Sequence, residues 1–102
     1  MNTLNIRPKQ NEVFNISSHV FHLYIAGESA NSVLAQRNIK VFCDNHYGND
    51  YQLKLIDVLL SPEQAWNDGV TATPMLLRIS PLPQVKMRGN LSDKEQLSNV
   101  LI

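Results

Sequence analysis

A single α/β domain built on a four-stranded mixed sheet is the fold class this sequence predicts, and three observations predict it. Residues 20–26 alternate Phe21, Leu23 and Ile25 with His22 and Tyr24, the period-two pattern of a strand. A long amphipathic stretch follows, and a second alternating run begins at Tyr51. A strand, a helical connection and another strand make one right-handed crossover, so these two strands should be parallel. Two more apolar runs, Met75 to Ile79 and one containing Val85 and Met87, are separated by little more than Pro81-Leu82-Pro83, a spacing that suits an antiparallel pair.

Each element has its own signals. Residues 1–18 scatter Leu4, Ile6, Val13, Phe14 and Ile16 among Asn, Ser and Pro, too sparsely to offset ordering entropy. A flexible arm is expected there, in preference to an edge strand at 13–16, with the folded domain spanning 19–102. Gly27 ends the first strand, and Ser29 caps a helix that runs to about His46, with Ala35, Ile39, Phe42, Cys43 and His46 along one face. Gly48-Asn49-Asp50 is a turn. The run Ile56 to Leu60 is almost wholly apolar, which predicts burial on both faces and a central place for the second strand. Ser61-Pro62 with Gln64 marks the start of a short helix that Gly69 closes. Ser92 and Glu95 read as a capping box, N-cap and N3, for a last helix reaching Ile102. The order β-α-β-α-β-β-α, with helices on both faces, is the thioredoxin-like arrangement. In such folds the proline before the third strand is usually cis, which is the expectation for Thr73-Pro74.

Composition narrows the function. A chain of 102 residues, 43% hydrophobic and 18% charged, makes one domain and excludes two independent catalytic units. Nine basic residues balance nine acidic ones, which argues against nucleic acid or an anionic membrane held by bulk charge. One cysteine excludes an internal disulfide. No apolar stretch approaches the roughly 20 residues of a membrane span, and the start does not resemble a signal peptide, so a soluble cytoplasmic protein is expected.

Few residues suggest chemistry, and no catalytic residue, metal or cofactor is expected. Thioredoxin-like enzymes carry a thiol at the start of the first helix, where the helix dipole lowers its pKa. Here that stretch reads Gly27-Glu28-Ser29-Ala30-Asn31-Ser32. Cys43 lies near the opposite end, where a buried structural thiol is the favoured reading over a redox one. Cys43 and His46 form at most half of a zinc site. Lys54, Lys86 and Arg88 form a basic patch if the second and fourth strands expose them. Trp66 reads first as a core residue and second as an exposed binding contact.

The segments Leu23-Tyr24-Ile25-Ala26-Gly27, Asn31-Ser32-Val33, Leu53 to Leu59, Ser61-Pro62, Ala72-Thr73-Pro74, Pro81-x-Pro83 and Gly89-x-Leu91-Ser92, in this order and spacing, resemble the KaiB family over about residues 20–102. The resemblance implies a non-enzymatic regulator of a circadian, timing or stress pathway that binds a KaiC-like ATPase, with KaiA-like or SasA-like proteins as further partners. It also implies assembly into dimers or tetramers, and an alternative ground-state fold with a rearranged C-terminal half. On this basis Lys54, Lys86, Arg88 and Trp66 are expected to meet partners, and Ala72, Thr73 and Pro74 to form the junction where the two folds diverge. The chain departs from the family at Gly69, Leu34 and Val85, where a basic residue is usual. Alternatives to the regulator are a redox protein using Cys43 and a homo-oligomeric module without an ATPase partner.

Overall fold

The computed structural model describes residues 17–102. Its elements are β1 (His19–Ile25), α1 (Ala30–Tyr47), β2 (Tyr51–Asp57), α2 (Pro62–Asn67), β3 (Met75–Ser80), β4 (Val85–Arg88) and α3 (Lys94–Leu101). They occur in the predicted order, and the strands form one sheet in the order β2-β1-β3-β4. β1 and β2 are parallel across the α1 crossover, while β3 runs antiparallel to both β1 and β4. The arm expected over residues 1–18, and its rival strand at 13–16, fall outside the described residues apart from Ser17 and Ser18. The Ser18 N–H donates to the Asp50 carboxylate at 2.8 Å.

α1 begins where Ser29 caps it, its hydroxyl accepting from the Ser32 N–H. The Ser32 hydroxyl in turn accepts from the Ala26 N–H at 3.1 Å, which fixes the helix start to the end of β1. Ala35, Ile39, Phe42 and Cys43 are buried, as their spacing predicts. His46 corrects that spacing, because it is exposed. At 100° per residue a position four beyond Phe42 drifts to the margin of the apolar stripe. Tyr47 closes this end instead, stacking on His19 at 3.8 Å.

Two cores sandwich the sheet. On one face Phe21, Leu23, Leu76 and Met87 pack with Ile39, Phe42, Leu97 and Leu101 from α1 and α3. On the other, Tyr24, Ile56, Met75 and Leu77 form a smaller cluster with Val58, Val70 and Ile79. Each fully buried large apolar side chain contributes about 1.5–3 kcal/mol, so the strands covered on both faces, β1 and β3, carry most of the stability.

β2 is an edge strand, which overturns the central position predicted from Ile56 to Leu60. Ile56 is buried, but Leu59 and Leu60 are 69% and 81% exposed. Asp57 ends the strand, and its side chain explains why. One carboxylate oxygen accepts from both Gly27 N–H (3.1 Å) and Leu59 N–H (2.9 Å), turning the chain away from the sheet. The continuous apolar run at the centre is Met75-Leu76-Leu77 instead.

α3 starts one residue later than its predicted box. Asp93 is the N-cap and accepts from the Gln96 N–H at 3.0 Å. The Ser92 N–H is held by the Asn90 side-chain oxygen at 3.1 Å, so Ser92 belongs to the preceding turn. On β3, Arg78 is only 8% exposed; its Nη2 donates to the Pro83 carbonyl at 2.9 Å, while its buried Nε has no partner among the described residues.

Replacing Asp93 by Ala is expected to lower stability by about 1 kcal/mol, with Ser92→Ala much closer to neutral, in urea unfolding. Equal losses would restore the predicted box. Arg78→Met is expected to raise the unfolding midpoint, since a buried unpartnered donor costs about 1–3 kcal/mol and the exposed Pro83 carbonyl can turn to water. A lower midpoint would show that the guanidinium is better satisfied than its geometry indicates.

Candidate partner-binding face

Strand register decides which basic residues share a face. Lys54 on β2 pairs with His22 on β1, His22 with Leu77 on β3, and Leu77 with Lys86 on β4. Residues directly opposite across neighbouring strands point to the same side, so these four form one row. The adjoining row is Ile56, Tyr24, Met75 and Arg88. Lys54, Lys86 and Arg88 therefore lie on the α2 side of the sheet, and all three are exposed. Three strand spacings separate Lys54 from Lys86, about 14 Å.

The C-terminal end of α2 is fastened over this face by one short contact. The Tyr24 hydroxyl donates to the Asp68 carboxylate at 2.6 Å. Burial, reinforced by Asp68, raises the Tyr24 pKa above its ordinary value and keeps the phenol protonated as the donor. Beside the tether a groove of about 280 Å³ opens, lined by His22, Tyr24, Asn67, Asp68, Leu77 and Gln84 among others. Gly69 follows with φ +74°, a left-handed conformation suited to glycine. A Cβ there would lie 3.2 Å from the Lys86 Nζ, so the absent side chain leaves room for that ammonium.

Trp66 is 84% exposed, which corrects its first reading as a core residue. α2 has only six residues and buries Ala65 alone. The indole joins Leu59 and Leu60 among the exposed apolar groups near this helix. Arg88 donates to the Thr71 hydroxyl at 3.2 Å, which ties β4 to the link formed by Ala72, Thr73 and Pro74. The Thr73–Pro74 bond is cis, as expected, and the Pro74 carbonyl accepts from the Gly89 N–H.

Thiol chemistry finds no support in this arrangement. Cys43 is fully buried in the α1 core, and burial, with Asp44 adding to it, pushes its pKa up to about 12. Little reactive thiolate forms under such conditions. Among the described residues no group of three His, Cys, Asp or Glu is placed to hold a metal, and no helix is long and apolar enough to cross a membrane. The sequence brought together Lys54, Lys86 and Arg88 but missed Asp68. That residue lies 44 positions from Tyr24, and no local pattern announces the contact.

Comparison with known proteins places this geometry in context. The KaiB domain family matches residues 22–102. The circadian clock oscillator protein KaiB of Nostoc punctiforme is 42% identical over 80 residues, 78% of this chain and 77% of the relative. Its counterpart from Synechococcus elongatus is 39% identical over 80 residues, 78% of each chain. Among solved structures, the N-terminal domain of Synechococcus elongatus SasA aligns with a TM-score of 0.69 at 20% identity, covering 83% of this chain and 80% of that one. The Drosophila thioredoxin Deadhead aligns with a TM-score of 0.67 at 17% identity, covering 99% and 93%. These structural likenesses establish a thioredoxin-like fold. With the domain matched over most of its length and relatives near 40% identical across more than three quarters of it, this chain belongs to the KaiB family.

Proposed function

We propose that this chain is a non-enzymatic regulatory protein that binds a KaiC-like ATPase through the α2 face, in a circadian, timing or stress pathway of the cytoplasm. The observation that carries the reading is the exposed cations on the α2 side of the sheet together with an exposed tryptophan on α2 itself. Lys54 and Lys86 have no ion-pair partner among the described residues, where Lys40–Asp44 is the only salt bridge. Trp66 supplies the large, nearly bare aromatic surface that dominates protein interfaces, and the lysines supply orientation and rate of encounter. KaiA-like and SasA-like proteins are further partners in this reading. The SasA domain shares the fold, which fits two proteins competing for one surface on a common partner.

Two further properties belong to the same proposal. Exposed Leu59, Leu60 and Leu82 favour self-association into dimers or tetramers. Ala72, Thr73 and Pro74 would be the junction beyond which the C-terminal half takes a second arrangement.

The test is binding to an immobilised cyanobacterial KaiC hexamer. Trp66→Ala is expected to weaken it by about 30-fold, matching a hot spot of roughly 2 kcal/mol. A Lys54→Ala, Lys86→Ala double variant is expected to slow association and flatten its salt dependence. Lys94→Ala, on α3 across the sheet, serves as the control and should bind as the parent does. Parental binding by both the tryptophan and the double-lysine variants would move the interface elsewhere.

A further inference from the structure

α1 and α3 share the face of the sheet away from α2, and a second groove of about 280 Å³ runs between them. Phe42, Leu91 and Leu97 form its floor, Val41 stands exposed on one wall, and His46 and Lys94 are its ionisable residues. No acidic side chain lines it. Its volume falls short of the roughly 300–1,000 Å³ usual for a small-molecule site, and suits one or two apolar side chains instead.

One end of the groove meets the start of β1. There the Tyr47 hydroxyl donates to the Leu101 carbonyl at 3.4 Å, and the Tyr47 ring stacks on His19. Ser18 is held on both sides, its N–H by Asp50 and its carbonyl by the Ser80 hydroxyl at 3.3 Å. The chain that precedes Ser17 therefore sets out beside the last turns of α1 and α3. Residues 12–16, outside the described residues, read Glu-Val-Phe-Asn-Ile. In an extended segment alternate side chains share a side, which groups Glu12, Phe14 and Ile16. Phe14 is four residues from Ser18, a reach of up to about 13 Å, and Glu12 is six residues away, up to about 20 Å. Along α1, Phe42 lies about 6 Å from His46 and Asn38 about 12 Å. The three side chains thus match the groove in order as well as in length, with the apolar pair near the tether and the acid toward the start of α3.

We propose that residues 12–16 fold back into the α1–α3 groove as an extended segment, with Ile16 at the His46 end, Phe14 against Phe42 and Leu97, and Glu12 level with Lys94. Glu12 is the one acid among residues 1–16, and Lys94 is the one lysine or arginine lining the groove. On its own the arm has nothing to bury Phe14 and Ile16 against, so its sequence reads as flexible; the groove supplies that surface. The tether selects the occupant, because a segment joined to the rim by a few residues competes at an effective concentration of about millimolar. The site lies across the sheet from the α2 face, so the inference does not depend on the partner reading.

Methyl NMR of the full chain tests this. The expected result is contact between the Phe14 ring and the Val41 and Leu97 methyls. Phe14→Ala should remove the contact and shift both methyls, leaving Val33, on α1 outside the groove, in place. Glu12→Lys, which sets like charge against Lys94, should shift them in the same direction. A parent chain without contacts from Phe14 to the groove overturns the inference, as do methyls that ignore Phe14→Ala. Methyls that respond to Phe14→Ala but ignore Glu12→Lys overturn the register proposed here. Contacts seen only between labelled and unlabelled chains in a mixed sample also overturn it, because a second copy's arm would then fill the groove.

Discussion

Phe21, Leu23 and Tyr24 on β1 and Met75, Leu76 and Leu77 on β3 are each at most 5% exposed, and every other element is placed by the side of this antiparallel pair that it covers. Their alternation sends Phe21, Leu23 and Leu76 to the α1 and α3 face and Tyr24, Met75 and Leu77 to the α2 face. A strand pair that must be dry on both sides demands helices on both sides. The crossover from β1 to β2 supplies α1 for the first face, and the loop from β2 to β3 supplies α2 for the second.

The two sides are not covered equally. α1 has eighteen residues and α3 eight, whereas α2 has six and buries only Ala65. A helix so short contributes little stability of its own, since isolated helices below about 12–15 residues are marginal. Its position therefore depends on Pro62 at its start, on the Tyr24–Asp68 hydrogen bond at its end and on the Val70 N–H returning to the Ala65 carbonyl. Thin cover leaves His22 half-buried and Lys54 and Lys86 exposed on that side of the sheet. Gly69 extends the same logic, because a larger residue at that point would displace the Lys86 ammonium.

Much of the fold could be read from residues alone because its signals are local. Ser29 before the apolar stripe, Pro62 at a helix start and the alternation in β1 each act within a few positions, and each found its expected place. The misreadings share one cause, a choice between two local patterns that only a side-chain contact settles. Ser92 with Glu95 and Asp93 with Gln96 both fit a capping box, and Asn90 decides between them by engaging Ser92. The apolar run at Ile56 suggested a buried strand, and the Asp57 carboxylate cut it short. For the candidate site, residue types and strand membership were legible, which was enough to group Lys54, Lys86 and Arg88. The groove was not, because Asp68 reaches it from far along the chain and Trp66 is turned outward by a helix too short to bury it.

Zero formal net charge is compatible with a charged interface when the charges are segregated. Lys54 and Lys86 stand about 14 Å apart across the sheet, farther than the roughly 8 Å Debye length of physiological salt. Each therefore acts on its surroundings almost separately, and the pair does not amount to one concentrated positive patch. At shorter range the register, and not the net charge, sets what the α2 side presents: Lys54 neighbours His22, and Leu77 separates His22 from Lys86. The groove beside them is lined by His22, Tyr24 and Asp68 and by neither lysine, so the two cations and the tethered carboxylate are separate features of one face, placed there by the register of four strands.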